Sequence, residues 1–592
     1  MNLKKLFLYS TSLCLIISLF CLSILLYIKY LWPDADFLQI SNTIKTLTFK
    51  DLQENIYPTD IFYGLIFFLI ACPLCLFKTD NKRNIFAIIL VLALISVLSG
   101  GITYLKYSHT KSSLYEEQYI KPNIQNTTFI NPKRNIILIY LESFEQTFAD
   151  KTIYEENLIP NLATLQNEHT HLSGYQSIFG ANYSIAAMVA SHCAIPLKSP
   201  SDNDIWKLQY FLPQAVCFPE ILKNNGYQTK IVKAADIAFS DTDLFTTSHG
   251  YQSALGVKQL NSKYPETKDK KYQGTFNGLS DRTLFEYAKK ELSEFDTSSP
   301  FMLTLFTLDT HTPEYFTDPA CQQTFHDLRD TYKCTDKTVT DFINWLKESP
   351  YWKNTTVVVL GDHLLPSRLK TIKHPSHRRI FNLFLNLPPE KHLYKHASFS
   401  ALDIAPTILE SLNIELEDHS FGLGRSLLSD KPTLTETYGK NLSATLMQQS
   451  DMYQTFITPK QKRAVNFIPY IFNTTLTDKT SISYADAVRY VLGTPYIDTL
   501  NLLLPNTPQK TLHVKMDFIA MLNNKQYVTI SANNQELLRV HKKKKLEQSI
   551  EFDIPSHFIK DNRLRLTFRN NNGNLTASQM GIALKKFTLT EK

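Results

Sequence analysis

The chain has 592 residues, with 62 Lys or Arg against 55 Asp or Glu, a formal net charge of +7. At about 150 residues per domain, this length sets roughly two to four domains. The two signs are mixed along the chain, which gives no reason to expect a nucleic-acid partner. Residues 6–28, 61–77 and 85–105 carry no charged side chain. Each is close to the roughly 20 apolar residues that cross a bilayer. They predict three transmembrane helices in a membrane domain, residues 1–106. The alternative for the first is a signal peptide, but it is long for one and lacks a small-x-small cleavage site. The second is short and contains Pro73. Lys4 and Lys5 precede the first span, and Lys78, Lys82 and Arg83 lie between the second and third. Basic residues stay on the cytoplasmic side. Everything after about residue 106 is therefore expected outside, in an integral membrane protein.

Residues 107–133 are polar, with Pro122 and Pro132, and read as a tether. Residues 134–430 then alternate strand-like and helical patterns. Apolar runs at 136–141, 229–232, 301–308, 357–360 and 381–387 alternate with helix-like stretches such as 218–225, 338–347 and 402–412. This alternation predicts an α/β domain with a mainly parallel sheet. Residues 431–509 form a mixed connecting region with helical periodicity over 482–492. Residues 510–592 hold short strand-like runs separated by Asn-rich turns, the texture of an antiparallel β-sandwich. The lysine run 542–545 reads as a solvated hairpin loop, with a polyanion or glycan contact as the alternative.

Eight cysteines divide by compartment. Cys14, Cys21, Cys72 and Cys75 lie in or beside the predicted spans; Cys193, Cys217, Cys321 and Cys334 fall in the exported part. An even number in an oxidising compartment predicts two disulfides. Of the three connectivities, the local pairs Cys193–Cys217 and Cys321–Cys334 are favoured; four free thiols are the alternative.

The chemistry is expected at strand ends, because open α/β sheets bind ligands outside the carboxyl ends of their strands. The run 136–141 leads into Glu142, the run 357–360 into Gly361-Asp362-His363, and the run 301–308 into Asp309-Thr310-His311. Glu142, Asp362 and His363 offer two carboxylates and an imidazole. That set suits one divalent ion, manganese or zinc. Residues 180–197, GANYSIAAMVASHCAIPL, pass from a turn into an Ala-rich helical pattern. Ser184 at its first turn is the candidate fourth ligand and nucleophile, since a helix N-terminus favours a phosphoryl group. A plain N-cap is the other use of such a serine. Ser191 lies deeper in the helix and is a poorer candidate.

The segments LESFEQT, GANYSIAAMVASHCAIPL, FTLDTHTPEYF, GDH and LDIAPTILESL…GLGRSLL, in this order, resemble the sulfatase/alkaline-phosphatase superfamily. Within it the chain is similar to membrane-bound phosphoglycerol transferases, and more distantly to lipoteichoic acid synthases. The resemblance implies a metal site of Glu142, Ser184, Asp362 and His363, with Ser184 as nucleophile and His311 contacting the transferred group. The family usually has threonine where Ser184 stands, and Tyr183 stands where tryptophan is common. No Cys-x-Pro-x-Arg signature is present, which disfavours formylglycine-dependent sulfatase chemistry. Asp281 and Arg425 match scaffold or substrate-shaping positions. The implied activity moves phosphoglycerol from phosphatidylglycerol to a periplasmic glucan or other envelope sugar. The implied location is the bacterial inner membrane, with the catalytic domain in the periplasm. The alternatives are a phosphoethanolamine transferase acting on lipopolysaccharide or capsule sugars, a phosphodiesterase with water as acceptor, and an inactive scaffold of envelope assembly.

Overall fold

The computed structural model describes residues 110–122, 133–198, 211–264 and 278–457 apart from a few positions at 313 and 367–376, and strands between 480 and 591. The three predicted membrane spans, the lysine run and the Asn-rich turns of the C-terminal region lie outside the described residues. Among the described residues no helix is long and apolar enough to cross a membrane. The chain forms two compact units, residues 1–203 with 216–453 and residues 204–215 with 454–592.

The first unit is built on a six-stranded sheet of order β3-β2-β4-β1-β5-β6. Its strands are β1 (Asn135–Leu141), β2 (Gln228–Lys233), β3 (Ser253–Leu255), β4 (Phe301–Phe306), β5 (Thr355–Gly361) and β6 (Asn382–Leu385). The first five run parallel and β6 closes one edge antiparallel to β5. Every residue of β4 and β5 is buried. Burial on both faces explains why these strands appear in sequence as mainly apolar runs without polar alternation.

Of the helices that matter here, α1 is Leu114–Gln118, α2 Pro160–Glu168, α3 Ser184–Cys193, α4 Phe218–Asn224, α5 Asp281–Ser293, α6 Leu328–Glu348 and α7 Ile404–Ser411. Helices α2, α5 and α6 pack on one face of the sheet, where Leu162, Phe285, Leu292, Val339, Phe342 and Leu346 join Ile137, Ile139, Leu303, Leu305, Val357 and Val359 in one core. Helix α3 lies on the other face, where the Tyr140 hydroxyl meets it, and it contacts α4 and α7. Three layers around a parallel sheet leave the carboxyl strand ends free for loops.

Several boundaries differ from the sequence reading. Helix α6 begins at Leu328 rather than near residue 338. Residues 114–118, read as part of a tether, form α1, whose Tyr115 is buried and donates to the Leu446 carbonyl at 3.0 Å. Ile120 and Gly422 exchange backbone hydrogen bonds. The helical periodicity over 482–492 is overturned at both ends, where Thr480–Ser483 and Val491–Leu492 are strands. Both pair with the strand Ile582–Glu591, so sheet pairing outweighs a weak local period there.

In the second unit, one antiparallel sheet is formed by Leu512–Ala520, Glu547–Ile554 and Ile582–Glu591 with the two short strands just named. A second is formed by Thr499–Leu503, Tyr527–Ala532, Gln535–His541 and Arg563–Asn570. Alternate residues are buried, Leu512, Val514, Met516 and Phe518 in the first sheet, Val528, Ile530, Leu564, Leu566 and Phe568 in the second.

Gly361, the last residue of β5, has no room for a side chain, because a Cβ there would run into the Phe144 carbonyl oxygen. The Gly361 and Phe381 amides bond the Phe381 and Phe144 carbonyls around this contact. Gly361→Ala should lower the unfolding free energy by about 1–3 kcal/mol. Chemical-denaturation melts check this, and an unchanged midpoint would mean that the 142–145 turn yields freely.

Candidate active site

Four adjacent strand ends, those of β2, β4, β1 and β5, deliver the polar side chains. Glu142 follows β1, and its amide donates to Thr307 Oγ1 at 2.9 Å while Thr310 Oγ1 donates to its carbonyl. Both partners come from the loop after β4. Ser143 then takes a left-handed conformation, φ 52°, which few non-glycine residues adopt outside constrained sites. This turn aims the Ser143 amide at Asp362 Oδ1, 2.7 Å away. The His363 amide reaches the same oxygen at 2.8 Å. The Ser143 hydroxyl donates to Glu142 Oε1 at 2.7 Å.

Glu142, Asp362 and His363 are all buried, and their ligand atoms lie within 4.8 Å of one another. His363 Nε2 is 3.6 Å from Glu142 Oε1 and 3.3 Å from Asp362 Oδ2. His363 Nδ1 sits 2.9 Å from the Leu364 carbonyl. A carbonyl only accepts, so Nδ1 carries the proton and the Nε2 lone pair faces the carboxylates. Ser184 is the first residue of α3 with Tyr183 as its N-cap, so it is not the cap itself. Its hydroxyl lies 3.2 Å from Glu142 Oε2 and 3.5 Å from His363 Nε2.

The electrostatics follow from burial. Burial raises the Asp362 carboxyl to about 7, and the neighbouring Glu142 charge pushes the same way. Burial acts upward on Glu142 too, but the imidazoles of His311 and His363 and the Ser143 and Ser184 hydroxyls hold it below the usual range. Burial acts downward on His363, yet Asp362 and Glu142 outweigh it and raise the imidazole. Asp362 Oδ2 is buried with no hydrogen-bond partner. Two buried carboxylates, an available imidazole nitrogen and an unsatisfied carboxylate oxygen fit a divalent cation.

His311 stands in the loop after β4. Burial lowers it most, Glu142 pushes it up, and His363 and Lys233 push it down. Lys233, at the end of β2, was not singled out in the sequence. Its ammonium donates to Thr242 Oγ1 at 2.9 Å and to the Phe239 carbonyl at 3.3 Å. Burial pulls it from 10.5 down to about 8, against the attraction of Glu142 and of Asp243, Asp236 and Asp362. Asp281 and Arg425 serve the frame. Asp281 accepts the Leu308 and Asp309 amides at 2.8 and 3.2 Å. Arg425 donates to the Gly424 and Gln118 carbonyls.

A buried hydrogen-bond chain fixes the far end of α3. The Tyr140 hydroxyl meets the Ser191 hydroxyl and lies 3.2 Å from His192 Nδ1. His192 Nε2 lies 2.7 Å from the Tyr251 hydroxyl, which lies 2.8 Å from Thr304 Oγ1. Burial pushes the His192 imidazole down to about 3. Cys193, the last residue of α3, is disulfide-bonded to Cys217, and Cys321 to Cys334.

Residues 134–414 match the family model described as Sulfatase. This region is similar to that family. Phosphoglycerol transferase I of Citrobacter koseri is 31% identical over 347 residues, covering 57% of this chain and 44% of the relative. The same enzyme of Escherichia fergusonii is 32% identical over 348 residues, with the same shares. The chain thus spans less than half the length of these curated relatives. A solved lipoteichoic acid synthase, LtaP of Listeria monocytogenes, is 21% identical, covers 52% of this chain and 80% of its own, and superposes with a TM-score of 0.41. Glu142, Ser184, Asp362 and His363 come together in this region, and His311 and Lys233 both act electrostatically on Glu142.

Lys233 yields a prediction whose sign is fixed. Its folded value lies below its unfolded one, so folding disfavours its charged form, and the penalty is fully present below about pH 8. The penalty is relieved as pH rises toward the unfolded value, and amounts to about 3 kcal/mol. Relative to Lys233→Met, the wild type should gain up to about that much stability between pH 8 and 10.5. Denaturation series at fixed pH check this; a gap independent of pH would show that Lys233 titrates normally.

Proposed function

We propose that this chain is a phosphoglycerol transferase. It moves phosphoglycerol from a membrane phospholipid, phosphatidylglycerol, to a hydroxyl of a periplasmic glucan or other envelope sugar, through a covalent ester on Ser184. The observation that carries the reading is the Ser184 hydroxyl at the first residue of α3, 3.2 Å from Glu142 and 3.5 Å from His363. The relatives named phosphoglycerol transferase I favour this group over others.

Glu142, Ser184, Asp362 and His363 would hold one divalent ion, manganese or zinc. Such an ion, when bound, lowers the pKa of a ligated hydroxyl and offsets charge on phosphoryl oxygens. The protein's own groups do the rest. Ser184 Oγ forms a bond to phosphorus while the bond to the diacylglycerol oxygen breaks, and diacylglycerol leaves with a proton. The acceptor hydroxyl then attacks phosphorus and Ser184 Oγ departs. The first-turn amides of α3 favour the phosphoryl group. Lys233 adds positive charge from the β2 side. His311, kept neutral by burial, orients the group and takes the proton of the incoming hydroxyl. The apolar N-terminal segments hold the site beside a donor confined to the bilayer, which raises its effective concentration. The two disulfides accord with a periplasmic domain on the bacterial inner membrane.

Ser184→Ala should reduce transfer at least about a thousandfold while fold and metal content persist. Mass spectrometry of the peptide containing Ser184, after incubation with phosphatidylglycerol, should reveal a phosphoglycerol ester; an adduct on another residue would move the nucleophile. Asp362→Asn should lose metal by elemental analysis, and unchanged stoichiometry would remove Asp362 from the ligand set.

A further inference from the structure

Among the described residues, three large apolar side chains are exposed: Phe239 at 41%, Tyr315 at 37% and Tyr394 at 38%. Two of the three lie on the loops that follow Lys233 and carry His311. Phe239 lies in the loop that leaves β2 six residues after Lys233, and Tyr315 in the loop that leaves β4 four residues after His311. The two loops start side by side, because Lys233 pairs with Phe306 across the sheet and the Ala234 amide donates to the Phe306 carbonyl at 3.0 Å.

Both rings are held out by built structure. Phe239 begins a turn in which Ser240 and Asp241 are both left-handed, φ 57° and 54°. Two such residues in a row, neither glycine, carry a backbone cost that a chance surface turn would not retain. The turn is locked from below: Lys233 and Thr242 Oγ1 both donate to the Phe239 carbonyl, and the Lys233 ammonium lies 5.5 Å from the Phe239 ring centre. Tyr315 sits in a loop closed by the Phe316 amide on the Asp309 carbonyl at 2.9 Å.

The charged groups on the same two loops bear on what the rings fit. Asp236 and Asp243 act on Lys233, and Glu314 on His311. Asp236 also pairs with Lys258 at 2.7 Å and accepts the Ala238 amide, and Asp243 accepts the Leu244 amide. An acyl chain needs continuous apolar surface, which two separate rings do not offer. A neutral sugar presents C–H faces that stack on aromatic rings and hydroxyls that donate to carboxylates.

We infer that Phe239 and Tyr315 form the acceptor subsite, two aromatic faces that take pyranose rings of an uncharged carbohydrate beside Ser184. This inference rests on the transferase reading above. Two measurements on the full chain in detergent test it separately from that reading. In saturation-transfer NMR with millimolar methyl β-glucopyranoside, the wild type should saturate the sugar C–H protons. Phe239→Ala and Tyr315→Ala should each weaken the signal at least about threefold, and Phe239→Tyr and Tyr315→Trp should restore it. No saturation in the wild type, or equal saturation in the alanine variants, overturns the subsite. In turnover with phosphatidylglycerol and gluco-oligosaccharide, the ratio of transfer to hydrolysis should fall about tenfold in either alanine variant. A parallel fall of both would assign the rings to the donor or the fold, and overturns it as well. Absence of any Ser184 ester in the wild type would sink the transferase reading, while the NMR result still decides whether the rings bind sugar.

Discussion

Two carboxylates, Glu142 and Asp362, share one buried pocket, and the surrounding loops are arranged to tolerate them. Taking an ionised carboxylate out of water costs several kcal/mol unless charges and donors replace the lost hydration. The Ser143 and His363 amides converge on one oxygen of Asp362, and the Ser143 hydroxyl covers Glu142. Lys233 supplies positive charge from the end of β2, and the His363 and His311 imidazoles line the same pocket. Each compensating group is fixed by an unusual local feature, such as the left-handed Ser143 or the buried lysine. The polar site and the apolar sheet are therefore one construction, because only buried parallel strands end with their side chains so closely registered.

The parts of this design that were legible in sequence are those with a one-dimensional signature. Residues 136–141, 301–306 and 357–360 are mainly apolar runs because parallel strands are covered on both faces. Glu142, Asp362 and His363 follow such runs within three residues, and His311 follows five residues after Phe306. Ser184 was legible through the change from a turn to an Ala-rich helix.

The rest depends on contacts between distant segments. Lys233 ends its strand as a surface lysine does, and only the fold of residues 239–242 around its ammonium makes it internal. Helix α6 starts ten residues earlier than its apolar stripe because Asp330, Thr331, Thr335 and Asp336 are buried in its first half. These polar residues face other loops. Asp330 accepts the Thr324, Phe325 and His326 amides, and Asp336 accepts the Asn161 and Leu162 amides at the start of α2. A periodicity argument treats such positions as solvent-facing, so it shortened the helix. Ser143 gave no signal, since nothing about a serine announces a positive φ.

The chain from Tyr140 through Ser191 and His192 to Tyr251 and Thr304 has a further consequence. All its members are uncharged across ordinary conditions, because burial keeps the imidazole neutral down to about 3 and raises both phenols. The joint that sets the direction of α3 therefore contains nothing that a change of acidity can switch. A helix seated on a neutral joint keeps its bearing as the acidity of the medium changes, and sensitivity to the medium is left to the strand ends at its other extremity.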